Sequence, residues 1–161
     1  MPYEYKAKVV DVIDGDTITV DIDLGFDMFL CNQKVRLLGV DSPESRTSDK
    51  IEKIFGELSK EFTKKFTDSC KGKLVILKTY IEKSEVNAPI AKEQKEKFGR
   101  ILGRIIHPET KAVLNDELIN EYFAVKYLGE SKKEIENLHL LNRKKLIDKK
   151  MVNLTYTEAG L

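Results

Sequence analysis

Asp14-Gly15-Asp16-Thr17-Ile18-Thr19-Val20-Asp21-Ile22-Asp23-Leu24 opens on a tight turn and runs into strict alternation. Ile18, Val20, Ile22 and Leu24 share one face, and Thr17, Thr19, Asp21 and Asp23 the other, the period-two pattern of a half-buried strand. Upstream, Tyr5, Ala7, Val9, Val10, Val12 and Ile13 form a β-rich run that ends at Asp14-Gly15, a favoured hairpin dipeptide. Downstream, Gly25-Phe26-Asp27 reads as a second turn and residues 28 to 40 as a third strand. The end of that strand, Val35 to Val40, is almost continuously apolar except at Arg36. Three strands joined by short turns make an antiparallel meander.

The period then changes. Phe55, Leu58, Phe62 and Phe66 recur at spacings of three and four, with Lys60, Glu61, Lys64 and Lys65 opposite, which predicts a helix with Gly56 near its start and Gly72 as its stop. Residues 73 to 81 read as a fourth strand. Residues 82 to 97 are polar, carry Pro89 and read as a long loop. Arg100 to His107 is a fifth strand. A short helix after Asn115 presents Leu118, Ile119 and Phe123, and Ser131 with Glu134 has the form of a capping box opening a helix through Ile135, Leu138, Leu141 and Leu146. The expectation is one α+β domain over residues 1–161: an OB-fold, a five-stranded antiparallel β-barrel with three helices.

Composition narrows the function classes. No apolar run reaches the length of a membrane span, so no membrane partner is expected. The first residues lack the basic and apolar regions of a secretory signal, which predicts a cytoplasmic location. Cys31 and Cys70 lie far apart, outside any CxxC pattern, and read as buried or half-buried free thiols; His107 and His139 have no zinc-ligand spacing. A net charge of +1 leaves nucleic-acid binding to local patches such as Lys132-Lys133 and Arg143-Lys144-Lys145, whose plainer reading is a solvated helix face. His139, on a leucine-rich helix, reads as a surface or boundary residue.

Two segments carry the chemistry. Alone, Asp14-Gly15-Asp16-Thr17 is a turn, and Val35-Arg36-Leu37-Leu38-Gly39-Val40-Asp41-Ser42-Pro43-Glu44 is a strand end followed by a proline turn. Together they set carboxylates and an arginine at the ends of apolar strands, where neither sign of charge is easily left unpaired. That grouping suits a divalent cation and a phosphodiester.

The two segments resemble the staphylococcal nuclease (thermonuclease) family. The likeness continues at Phe55-Gly56, at Phe62-Thr63-Lys64-Lys65, at Lys97-Phe98-Gly99-Arg100, and from Leu114-Asn115 to Ala124, in family order. The resemblance implies a calcium-dependent endonuclease that cleaves DNA and RNA with little sequence specificity and leaves 3′-phosphates. It implies Asp16 and Asp41 as carboxylate ligands of Ca2+, with the backbone carbonyl of Ser42 as a third. Glu44 would hold or deprotonate the attacking water, and Arg36 and Arg100 would grip the scissile phosphate. Lys97 would contact phosphate, and Tyr127 would touch the nucleotide.

Elementary chemistry agrees with these roles: hard oxygen donors select calcium or magnesium over zinc, and planar guanidiniums meet phosphate oxygens with paired hydrogen bonds. The chain departs from the family pattern at Phe98, where tyrosine is common, and in its long 82–97 loop. A monomer is the expected state. The alternative reading is a noncatalytic OB-fold module that binds single-stranded nucleic acid or a protein partner. Such a module has no need of the complete acid and arginine set.

Overall fold

The computed structural model describes residues 3–80 and 100–161. Five strands close into a barrel: β1 (Tyr3–Asp14), β2 (Thr17–Gly25), β3 (Met28–Leu37), β5 (Leu74–Thr79) and β6 (Ile101–Ile106), in the spatial order β1-β2-β3-β6-β5. Val9, Val20, Val35, Leu37, Val75 and Leu77 point inward from the strands and are almost wholly buried. This is the OB-type α+β barrel expected, with one correction. The β3–β6 pair is parallel, with Val35 opposite Ile101 and Arg36 opposite Leu102. Five is an odd number, and strands that alternate in direction around a closed ring cannot number five without one parallel seam. β5 pairs antiparallel with β1 and β6 antiparallel with β5, so β6 runs in the same sense as β3.

The expected third strand over 28–40 is two elements. β3 ends at Leu37, and Gly39 takes the left-handed conformation at φ +76° that glycine adopts without penalty. The chain thereby leaves the barrel wall, and β4 (Val40–Asp41) pairs antiparallel with β7 (Val125–Lys126) in a separate two-stranded sheet.

Helix α1 (Lys50–Ser69) starts earlier than the apolar period indicates, because the Asp49 side chain caps it by accepting from the amides of Ile51 (3.0 Å) and Glu52 (3.1 Å). Gly56 is therefore inside the helix, not at its start. Its deepest positions are Phe55, Ser59, Thr63 and Thr67, spaced by four; Leu58, Phe62 and Phe66 flank them and are only partly covered. Small side chains lie underneath because the helix rides directly on the β1–β2 turn. The Thr63 hydroxyl donates to the Gly15 carbonyl at 2.7 Å, and a Cβ on Gly15 would come within 2.7 Å of Ser59 Cβ.

After β6, α2 (Leu114–Asn120) contributes a buried asparagine that ties β6 to the chain just past the end of β3. Asn115 Oδ1 accepts from the Ile105 amide (3.1 Å), and its Nδ2 donates to the carbonyls of Leu38 (2.9 Å) and Gly103 (3.2 Å). Asn115→Ala leaves these backbone groups unpaired in the interior, and a loss of about 3 kcal/mol is expected from the cost of stranded donors and acceptors. The urea midpoint at unchanged slope reads this directly.

α3 (Lys132–Asp148) opens on the anticipated capping box between Ser131 and Glu134. Its inward stripe differs from the leucine pattern: Ile135 and Leu146 are buried with His139 and Asn142 half-buried between them, whereas Leu138 and Leu141 face outward. Both cysteines are free; Cys70 is buried as expected, but Cys31 is exposed. The expected 82–97 loop lies outside the described residues. Among the described residues no helix is long and apolar enough to cross a membrane.

Candidate active site

The β1–β2 turn is where the site begins. Far from being a solvated hairpin tip, it is buried beneath α1, and its two acids reach across to the segment after β4. Asp14 Oδ1 accepts from both the amide (3.1 Å) and the hydroxyl of Ser45, and Asp16 Oδ2 accepts from the Ser42 amide at 2.9 Å. The Leu37 amide donates to the Asp16 carbonyl at 2.8 Å, which locks this turn to the end of β3. Thr17 faces Arg36 across the β2–β3 ladder, so the register alone carries Arg36 to the acids.

Arg36 bridges two carboxylates. Its Nη1 lies 2.5 Å from Asp16 Oδ2, and its Nη2 donates to Asp41 Oδ1 at 3.0 Å. The Arg36 and Asp16 side chains are only 15% and 9% exposed, so the pair is shielded from water. The other Asp41 oxygen, Oδ2, is 2.7 Å from His139 Nε2 on α3. Burial pushes the Asp16 carboxyl above the usual carboxylate range, and Asp41 adds to this; Arg36, the Ser42 amide and the Thr17 hydroxyl pull the other way. Glu44, exposed at the rim, is also held above its ordinary value, first by partial desolvation and then by the neighbouring charges of Asp14, Asp16, Asp41 and Glu52.

Two depressions meet at Asp41. One, of about 770 Å3, runs from Arg36 and Asp41 past Arg100 and Leu102 to Tyr127 and Lys132. The parallel β3–β6 seam builds it: Leu102, the partner of Arg36, lies on the outer face of β6, and Arg100 immediately precedes that strand. Tyr127 is held at its far wall by its amide, which donates to the Gly39 carbonyl at 2.9 Å. The other depression, of about 310 Å3, carries Ser42, Glu44, Glu52 and His139. Asp16, Arg36, Asp41 and Ser42 thus come together, with Arg100 and Tyr127 along one side and Glu44 on the other. Lys97 lies outside the described residues.

The donor set fits a hard divalent cation. Two carboxylates lie against a single guanidinium, so a positive charge is already required between them, and their oxygens keep spare lone pairs after the contacts above. Among the described residues no three acid, histidine or cysteine side chains converge as a cage. A site of two carboxylates completed by a backbone carbonyl and water needs no such cage.

Residues 34–155 match the model of the staphylococcal nuclease homologue family, three-quarters of the chain. The chain belongs to the staphylococcal nuclease family. Within the matched stretch lie Arg36, Asp41, Glu44, Arg100 and Tyr127; Asp16 precedes it and joins the site through the β2–β3 register. Relatives include the thermonuclease of Staphylococcus hyicus, 29% identical over 80% of this chain and 60% of its own length. The thermonuclease of Staphylococcus intermedius is 31% identical over 75% of this chain and 56% of its own. Endonuclease YhcR of Bacillus subtilis is 30% identical over 77% of this chain but only 9% of its own length. This staphylococcal nuclease homologue therefore spans little more than half the length of the thermonucleases it matches.

Two contributors to the site were not foreseen. From sequence alone Asp14 is only part of a turn, although an acid followed by glycine and a second acid at a strand junction offers two anchors on opposite sides of the chain. His139 was read as a boundary residue. The signal was its place on the 135-139-142-146 stripe, a polar interruption of the helix's buried side.

Proposed function

We propose that this chain is a calcium-dependent endonuclease that hydrolyses DNA and RNA phosphodiesters with little sequence preference and leaves 3′-phosphates. The observation that carries this reading is the Arg36 bridge between Asp16 and Asp41 at the edge of a cleft that also holds Arg100 and Tyr127. Asp16, Asp41 and the Ser42 carbonyl would hold the cation, which supplies positive charge to a phosphate oxygen when bound. As water attacks phosphorus, negative charge builds on the non-bridging oxygens, and the guanidiniums of Arg36 and Arg100 offer planar donors to it. Glu44 takes the proton from that water while the bond from phosphorus to the 5′-oxygen breaks. Glu44 lines the depression that also holds Asp41 and Ser42, which supports this role. Tyr127, partly exposed on the cleft wall, offers a ring to a base or sugar. Lys97 is assigned a phosphate contact on sequence likeness.

Digestion of labelled single-stranded DNA and of RNA, with calcium or with EDTA, tests this. EDTA is expected to abolish cleavage, and Glu44→Gln to lower kcat about a thousand-fold, the scale of a positioned general base. Wild type and Glu44→Gln cutting equally well would sink the assignment. Tight binding of both nucleic acids with no cleavage under any cation would favour the noncatalytic module instead.

A further inference from the structure

Asp41 differs from Asp16 in what holds it. Asp16 is rooted in the barrel, buried and fixed by backbone amides. Asp41 stands past the Gly39 bend on a two-residue strand, and of its two oxygens one is taken by Arg36, the residue also proposed to bind phosphate. The other is taken by His139, which lies 98 positions further along the chain. An ionised carboxylate can only accept, so the proton between them belongs to His139 Nε2.

His139 Nδ1 is buried without a hydrogen-bond partner, and so is Nε of Arg143, one helical turn on. Both residues line a small cleft with Phe55, Ser59 and Phe123 whose interior admits about 10 Å3 of water-sized space, the room one molecule needs.

Arg143 is itself immobilised. Its Nη1 donates to the Ala159 carbonyl at 3.0 Å, and its guanidinium carbon lies 5.2 Å from the Phe55 ring centroid. Asn142 Nδ2 donates to the Ala124 carbonyl at 3.1 Å, beside the Val125 that pairs with Asp41. α3 therefore grips both strands of the small sheet from one side.

We infer that His139 is a positioning residue, which fixes the Asp41 carboxylate in its cation-binding orientation through the contact of its Nε2 with Asp41 Oδ2. The inference rests on the reading of Asp16 and Asp41 as the cation site. When Arg36 turns to substrate phosphate, His139 is the side chain that still holds Asp41. A hydrogen-bonded partner behind a ligating carboxylate commonly accounts for ten- to hundred-fold in affinity.

Calorimetric titration of the free protein with CaCl2 tests this on wild type, His139→Phe, His139→Gln and Asp41→Asn, with folding verified by circular dichroism. His139→Phe is expected to weaken calcium binding at least about ten-fold. His139→Gln, whose amide N–H reaches the same oxygen, is expected to stay within about three-fold of wild type. Should the phenylalanine variant not fold, His139→Asn replaces it: its amide falls short of Asp41, so it should bind weakly where glutamine binds well.

The same split is expected in cleavage, with a raised calcium requirement and a kcat at saturating calcium close to wild type. A disrupting variant that binds calcium as wild type does, while Asp41→Asn loses binding, overturns the positioning role and leaves the site reading standing. Wild-type affinity in Asp41→Asn, or no calcium binding by wild type, overturns the site reading and the inference with it.

Discussion

Arg36→Ala is expected to do two separable kinds of damage. In the calcium-free protein it leaves Asp16 and Asp41 facing each other with no cation between them, and Asp16 has almost no access to water. Removing one partner from a buried ion pair typically costs about 3–5 kcal/mol, because the remaining charge keeps its desolvation penalty. Unfolding in EDTA should show that loss. Calcium should recover much of it, since a bound cation replaces the missing positive charge; ligand present at a hundred times its Kd contributes about 2.7 kcal/mol by mass action.

Cleavage should not recover. In the proposed mechanism the phosphate then loses one of its two guanidinium contacts, and a preorganised donor of this kind is worth about a hundred- to a thousand-fold in rate. Arg36→Lys should rescue stability better than rate, because a single ammonium satisfies charge but does not span two oxygens in a plane. Unfolding and single-turnover cleavage, each with and without calcium, separate the two effects. A variant equally stable in EDTA, or one whose cleavage returns with calcium, contradicts the dual role.

Gly56→Ala is expected to lower both stability and rate, although the residue lies inside α1. A Cβ on Gly56 would overlap the carbonyl oxygen and carbon of Glu44 and crowd the Ser45 amide. These are backbone atoms that cannot rotate away. Ser45 is anchored on the other side by Asp14, so the strain falls on Glu44 or on the seating of α1. Overpacking of this kind costs roughly 1–3 kcal/mol. A displacement near 1 Å at the reacting groups is worth about a hundred-fold in rate. The expected result is a modestly less stable protein with kcat reduced about a hundred-fold. Unchanged cleavage would mean that the 42–45 segment has slack the structure does not show.

Much of this was legible from residue order, and the gaps have particular causes. The alternation from Ile18 to Leu24 marked a half-buried strand, and the Asp16, Arg36, Asp41 grouping followed from strand ends and register. The break at Gly39 did not show, because Val35 to Val40 reads as one apolar run and one glycine's φ is set by what the next strand pairs with. The parallel seam required counting strands around a ring. The inward side of α1 departs from its apolar period because hydrophobic periodicity finds large side chains, whereas close approach to the β1–β2 turn demands serine and threonine. His139 was hidden by distance: its partner is on another element, and only the packing of α3 brings them together.

The bend at Gly39 splits custody of the acids. Asp16 belongs to the barrel, while Asp41 is lodged in a miniature sheet whose other strand and supporting helix come from the last third of the chain. Under the proposed function, catalytic competence is therefore a property of assembly, not of the barrel alone. If α3 peels away in a partial opening, the barrel and every residue of the acid-arginine motif persist, yet the second acid loses its seat. Such a molecule would be folded by most spectroscopic measures and inert as a catalyst.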